Sequence, residues 1–152
     1  LGDHSEKDIE AVGEFGLELG ICYQIYDDLV DAFSSTTILS KPTGADTESG
    51  KLTLPLLLLL EKSSPGEKKL LLDVLDNNIV ASNKELFVTL FKKYSILQCC
   101  KDEFHTNFAK INVLAGSVSD KALARNLVSF LSFFTSKISA LSTLDTSNFL
   151  AK

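Results

Sequence analysis

Apolar residues recur at steps of three and four positions along almost the whole chain, and this spacing constrains the fold more than any other feature. From Lys7 to about Phe33 the spacing places the apolar side chains on one side of a long helix. These positions are Ile9, Val12, Leu17, Leu19, Ile21, Ile25 and Leu29. Ser5 precedes an acidic first turn and is predicted to be the N-cap of this helix.

Most of the remaining chain is also predicted to be helical, apart from one long loop. Residues 34–51 are polar and contain Pro42, Gly44 and Gly50, so they are predicted to form a long loop with a functional role. Thr53 is placed to cap a helix that runs to about Lys62. Further helices are predicted at 67–76, after a break at Pro65 and Gly66, and at 84–93, 96–115 and 120–144, followed by a polar tail. Residues 1–152 are therefore expected to form a single all-α segment.

Three glycines interrupt the first predicted helix, at Gly13, Gly16 and Gly20. Each costs about 1 kcal/mol of helix propensity relative to alanine. Their grouping predicts a close approach by the backbone of another helix.

Composition narrows the classes of function. The formal net charge is −5, with no basic stripe of the kind that binds nucleic acid. The three cysteines lack the number and spacing of a disulfide framework or a zinc site, which favours a reducing, cytoplasmic setting. Since the longest apolar run is far shorter than the roughly 20 residues of a membrane span, we expect a soluble protein without an integral membrane segment. The chain begins with Leu1 and contains no methionine, from which we expect polypeptide upstream of residue 1.

Four polar residues near the end of the first helix are spaced for ligand binding. Gln24, Asp27, Asp28 and Asp31 are separated by three or four positions, which places them on one strip of helical surface. Carboxylates this close repel one another unless a cation is bound, and Mg²⁺ prefers hard oxygen ligands. The alternative interpretation of such a string by itself is a solvated acidic face.

The following loop carries charges that complement this strip. Lys41 and Lys51 can neutralise phosphate oxygens that a metal does not reach, and Asp46 adds a carboxylate. The strip and the loop together predict a site in which Mg²⁺ holds a diphosphate.

The same residues resemble the C-terminal half of a trans-isoprenyl diphosphate synthase, also called a polyprenyl synthetase. The second aspartate-rich motif of that family is matched by Gly20, Tyr23, Gln24, Asp27, Asp28 and Asp31. Its following lysine, glycine and aspartate and its G-K-x-T-L-P element are matched by Lys41, Gly44, Asp46 and residues 50–55. Ser40 departs from the glycine that commonly precedes the first lysine.

The resemblance implies an all-α helical bundle, the C-terminal half of the isoprenoid synthase fold. It implies that Asp27 and Asp46 hold Mg²⁺ on an allylic diphosphate, with Asp28 and Asp31 around them. It also implies that Lys41 and Lys51 bind the departing diphosphate and that Gln24 forms a hydrogen bond there. The implied reaction joins the allylic diphosphate to isopentenyl diphosphate and gives a longer polyprenyl diphosphate, in a parent enzyme that is a homodimer.

The family also needs a first aspartate-rich motif and an arginine and lysine cluster, and this chain has neither. Its single arginine is Arg125. We therefore expect no activity from the chain alone and favour a piece of a longer synthase whose N-terminal half is missing. The alternatives are a small non-catalytic subunit that regulates a complete synthase and a structural helical protein. A terpene cyclase is disfavoured because its second metal motif mixes Asn, Ser or Thr with Glu.

Other candidate side chains are interpreted as structural. His105 lies near Cys99 and Cys100 without the spacing of a tetrahedral metal site. Several phenylalanines, Phe104, Phe108, Phe130, Phe133 and Phe134, have the apolar character to line a prenyl tunnel, but core packing is the preferred interpretation.

Overall fold

The computed structural model describes residues 5–34 and 51–149, except the side chains at positions 137 and 140, and every regular element within these ranges is helical. The predicted all-α class is confirmed. The described α-helices are α1 (Glu6–Phe33), α2 (Leu54–Lys62), α3 (Pro65–Asp76), α4 (Lys84–Lys93), α5 (Ile96–Ser117) and α6 (Lys121–Ile138). Short 3₁₀ turns lie at Ala81–Asn83, Ser139–Thr143 and Thr146–Asn148.

Several predicted boundaries are confirmed. The Asp8 amide donates to the Ser5 hydroxyl at 3.1 Å, so Ser5 is the N-cap of α1. The fourth helix, α4, has the predicted ends. The helix α5 continues through Gly116, where the sequence pattern had placed its end. Most of the predicted 34–51 loop lies outside the described residues.

The helix α3 begins two residues earlier than predicted. Pro65 occupies its first turn, where the absent N–H is not needed, instead of breaking the chain. Ser64 and Glu67 form a reciprocal capping box at this end. At the other end Asn78 has a φ of 52° and its amide donates to the Leu75 carbonyl, so an asparagine closes the helix.

The last helix is shorter than predicted. The sequence pattern extended it to Leu144, but α6 ends at Ile138 and continues as a 3₁₀ turn. The Ser136 and Ser139 hydroxyls donate to carbonyls three residues earlier, and such side-chain bonds compete with the helical ladder. The predicted polar tail also contains Phe149, which is fully buried.

The described chain divides into two compact units, and the division falls within α1 and within α5. The first unit contains residues 5–24 and 103–140. Its core includes Phe15, Cys22, Phe104, Ile111, Ala115, Leu131 and Phe134. A buried carboxylate joins its ends: Asp8 accepts hydrogen bonds from the Ser119 amide at 2.7 Å and from the Ser119 hydroxyl at 2.6 Å.

The second unit contains residues 25–34, 51–102 and 141–149. Its core is an aromatic cluster of Phe33, Phe87, Phe91 and Phe149. Phe91 meets Phe33 edge-on at 5.3 Å and Phe149 edge-on at 4.9 Å between ring centroids, an arrangement that aromatic quadrupoles favour. The Phe33 carbonyl accepts a hydrogen bond from the Asp145 amide at 3.2 Å, so the segment after α6 is bonded to the last residue of α1.

Among the described residues, the glycines of α1 have no packing partner of the kind that their spacing predicted. Gly13, Gly16 and Gly20 are exposed, and a Cβ built on each would meet no described atom within 4 Å. Within the described part of the chain, no second helix approaches this face.

We expect Asp8→Ala to lower the free energy of unfolding by about 2 kcal/mol, because it removes a charged acceptor from the Ser119 amide and hydroxyl. Ser119→Ala is the matched control, since it removes only the hydroxyl bond and should cost about 1 kcal/mol. Urea unfolding of both variants measures the difference. A control variant as destabilised as Asp8→Ala would contradict this account of the contact.

Stability is also expected to depend on pH through Glu67. The ion pair with Lys93 at 2.7 Å, together with hydrogen bonds from Ser64 and Tyr94, lowers the Glu67 pKa from 4.5 to about 2. A carboxyl whose pKa is lower in the folded state stabilises fully above its unfolded pKa. That contribution should therefore decline as the pH falls from 4.5 through about 2.

Thermal unfolding of wild type and Glu67→Gln across this pH range tests the contribution. The gap between their midpoints should be largest near neutral pH and should close toward pH 2. Glu61→Gln, on the exposed face of α2, is the control and should give no such convergence. A gap that stays constant with pH would show that the Glu67 contribution is not electrostatic.

Candidate functional site

The acidic turn at the end of α1 is divided by burial. Asp27 is exposed and Asp31 is half-buried, whereas Asp28 is only 5% exposed. With about 100° of rotation per residue, Asp27 and Asp31 lie about 40° apart around the helix, while Asp28 lies about 100° from Asp27. The three aspartates expected on one strip therefore differ in burial. Asp27 and Asp31 are the less buried members of the acidic turn.

The buried Asp28 carboxylate binds the start of α2. Its Oδ2 accepts a hydrogen bond from the Leu54 amide at 2.9 Å. Thr53 has the predicted N-cap position but makes no side-chain cap bond. Its hydroxyl is buried and has no hydrogen-bond partner among the described residues. The first amide of α2 is thus satisfied by a residue 26 positions earlier in the chain.

This bond restricts where Lys51 can lie. Lys51 is exposed and precedes Leu54 by three residues. Three residues of extended chain span at most about 11 Å, so the Lys51 backbone stays within that distance of the residue that Asp28 binds. The acidic turn and one of the two predicted lysines therefore belong to one neighbourhood of the second unit.

The remaining predicted site residues are Lys41, Asp46 and Gln24. Lys41 and Asp46 lie outside the described residues. Gln24 is exposed and is the last residue of the first unit, three positions before Asp27 on α1. Their roles remain predictions.

The donor set of the acidic turn fits Mg²⁺ in its chemistry. Carboxylate oxygens are the hard ligands that this ion prefers, and it commonly uses one or two carboxylates together with waters and substrate phosphates. Asp27 and Asp31 can supply such a pair. Over residues 5–34 and 51–149, no three His, Cys, Asp or Glu side chains are grouped closely enough to form a metal site by themselves.

The structure also contains a groove that the sequence pattern did not indicate. It lies in the first unit, between α1 and α5, with a volume of about 620 Å³ and mostly apolar walls that include Leu17 and Val113. Glu18 and Lys110 also line it, 3.9 Å apart. The spacing of apolar residues identifies the core face of each helix. It does not show how far two helices diverge, and a groove of this kind depends on that divergence.

The phenylalanines considered for a tunnel differ in how deeply they are buried. Phe104 and Phe134 are buried and form part of the first core, as the core-packing interpretation expected. Phe130 and Phe133 on α6 are 46% and 60% exposed. Phe108 is half-buried and stacks on Phe104 at 5.8 Å.

The cysteines and the described histidine have separate surroundings. Cys22 and Cys100 are buried, and Cys99 is half-buried. Burial raises the Cys22 pKa to about 11, which keeps that thiol protonated at neutral pH. His105 is exposed and meets the Phe104 ring edge-on at 5.7 Å. None of the four is part of a metal site in the described structure.

The described residues define an all-α protein that carries accessible carboxylates on the last turns of a long helix, close to a lysine-bearing segment. The sequence model for polyprenyl synthetase matches residues 1–90, more than half of the chain. The chain belongs to the polyprenyl synthetase family.

Curated relatives agree with this family. A short chain isoprenyl diphosphate synthase of Methanothermobacter thermautotrophicus is 34% identical over 90 residues, which are 57% of this chain and 28% of that protein. A geranylgeranyl diphosphate synthase of Sulfolobus acidocaldarius is 35% identical over 94 residues, 60% of this chain and 28% of that protein. The heterodimeric geranylgeranyl pyrophosphate synthase large subunit 2 of Arabidopsis thaliana is 40% identical over 73 residues, 48% of this chain and 19% of that protein.

The matched region spans less than a third of each of these relatives. No solved structure matches the chain. Among the described helices, none has the length and apolar character needed to cross a membrane.

Proposed function

We propose that this chain supplies one half of a prenyltransferase site and binds the diphosphate of an allylic substrate together with Mg²⁺. The observation that carries the proposal is the bond from Asp28 to the Leu54 amide, which joins the acidic turn of α1 to the segment that bears Lys51. Membership of the polyprenyl synthetase family supports a diphosphate as the ligand of such a site.

Each polar residue has a chemical task in this proposal. The accessible oxygens of Asp27 and Asp31 would hold the cation, with Asp46 as a further donor. Lys51 and Lys41 would neutralise phosphate oxygens on the leaving group, and Gln24 would donate a hydrogen bond to it. The cation supplies Lewis-acid stabilisation of the diphosphate charge.

The proposed reaction breaks the allylic C–O bond and releases diphosphate. The double bond of isopentenyl diphosphate forms the new C–C bond and a proton is then lost, which gives a longer prenyl diphosphate. The lysines contribute by stabilising the negative charge that develops on the leaving diphosphate. We propose a cytoplasmic homodimeric parent enzyme whose other half binds isopentenyl diphosphate.

Asp27→Asn is expected to weaken binding of magnesium pyrophosphate by about tenfold or more, since it removes a charge from an accessible metal ligand. Isothermal titration of the chain with pyrophosphate, with and without Mg²⁺, measures the loss. Asp76→Asn, an exposed aspartate on α3, is the matched control and should bind as the wild type does. Equal affinities for all three proteins, or no binding by the wild type, would refute the proposed site.

A second candidate function is that of a non-catalytic subunit that binds and regulates a complete synthase. One observation favours it: the Arabidopsis relative is named as a subunit of a heterodimeric enzyme.

The two candidates predict different results in one experiment. The tagged chain is mixed with a complete synthase of the family and, separately, with an N-terminal half of such a synthase. Turnover of an allylic diphosphate and isopentenyl diphosphate restored only by the N-terminal half indicates the half-site, and no turnover is expected from the chain alone. Stable capture of the complete synthase with an altered product length indicates the regulatory subunit.

A further inference from the structure

We propose that Asp28 is a positioning residue that acts through the start of α2 to set the place of Lys51, and that it is not a ligand of the metal. The inference rests on the proposed function for the role of Lys51. It gives Asp28 a structural task that differs from the metal-binding task proposed for Asp27, its neighbour on α1.

Asp28 is buried in the second unit. A carboxylate that is 5% exposed has lost most of its hydration and must recover that free energy from donors within the protein. The Leu54 amide supplies one at 2.9 Å. This separation is that of a well-formed N–H···O hydrogen bond, which has a narrow range of distance and angle.

The helix α2 lacks an ordinary N-terminal cap. The Thr53 side chain makes no cap hydrogen bond, and Pro55 has no amide N–H that needs an acceptor. The Leu57 amide closes the first helical turn on the Thr53 carbonyl at 3.0 Å. The Asp28 carboxylate therefore takes the place of the local cap, and its negative charge also suits the positive end of the helix dipole.

The neighbouring aspartates differ from Asp28 in burial. Asp27 is exposed and Asp31 is half-buried, so both residues are less enclosed than Asp28. Mg²⁺ keeps several of its waters in most protein sites, which a carboxylate buried against a helix start cannot accommodate easily. The surface around the turn thus favours Asp27 and Asp31 as ligands.

The consequence for the site concerns Lys51. A lysine on an unfixed segment would lose rotational and backbone freedom on binding phosphate, whereas a segment already bonded to α1 loses less. By fixing Leu54, Asp28 keeps Lys51 within three residues of an anchored point. The proposed task of Asp28 is this preorganisation.

Hydrogen exchange tests the anchor without any ligand. In Asp28→Ala the Leu54 and Leu57 amides should exchange about tenfold faster or more than in the wild type, because the first turn of α2 frays. Asp28→Asn retains an oxygen acceptor and should keep most of the protection. Asp27→Asn is the matched control and should leave both amides unchanged. Unchanged exchange in Asp28→Ala overturns the proposal.

Ligand binding tests whether the anchor acts through Lys51. Asp28→Asn should bind magnesium pyrophosphate within about threefold of the wild type, while Asp27→Asn should lose about tenfold or more. In a double-mutant cycle, Asp28→Ala should weaken binding much less in a Lys51→Gln background than in the wild type. Additive effects, or an Asp28→Asn variant as impaired as Asp27→Asn, overturn the proposal.

The two experiments separate this proposal from the proposed function. If the wild-type chain binds no magnesium pyrophosphate, the proposed function fails, and with it the role of Lys51. The exchange measurement then still decides whether Asp28 anchors α2. If Asp28→Ala does not fold, the comparison of Asp28→Asn with Asp27→Asn decides the question by itself.

Discussion

The structure depends on buried carboxylates that a single long helix carries near its two ends. In the first unit Asp8 of α1 accepts from Ser119, and in the second unit Asp28 of α1 accepts from Leu54. A buried charge is tolerated only where hydrogen bonds replace its lost hydration, so each contact fixes one backbone amide relative to α1. Apolar packing of Phe15 or Phe33 can vary slightly in angle, but a hydrogen bond has a narrow range of distance and angle.

Helix positions followed from the sequence because they depend on local pattern. The periodic apolar residues of α1 and the cap at Ser5 are properties of neighbouring positions, and α4 was predicted to the residue. The errors also have local causes. Pro65 suits a first helical turn as well as a break, and the serines at 136 and 139 bond to carbonyls and end α6 early.

The arrangement of the candidate site was harder to predict because it depends on distant contacts. The spacing placed Asp27, Asp28 and Asp31 on one strip of the helix surface. The geometry of the helix separates them, since Asp28 lies only about 60° from Ile25 and about 40° from Ala32, both core residues. The partner at Leu54 could not have been found this way, because Thr53 is the expected cap and nothing local indicates that a residue of α1 replaces it.

The Asp28 bond also makes ligand binding and helix order reciprocal in the proposed site. If Lys51 binds a diphosphate more tightly when the start of α2 is anchored, a bound diphosphate must stabilise that anchored state by the same free energy. Like charges on the three aspartates would act in the opposite direction in the absence of a cation, and a bound cation would offset that repulsion. The three aspartates would thus couple the order of α2 to the magnesium diphosphate that the site is proposed to bind.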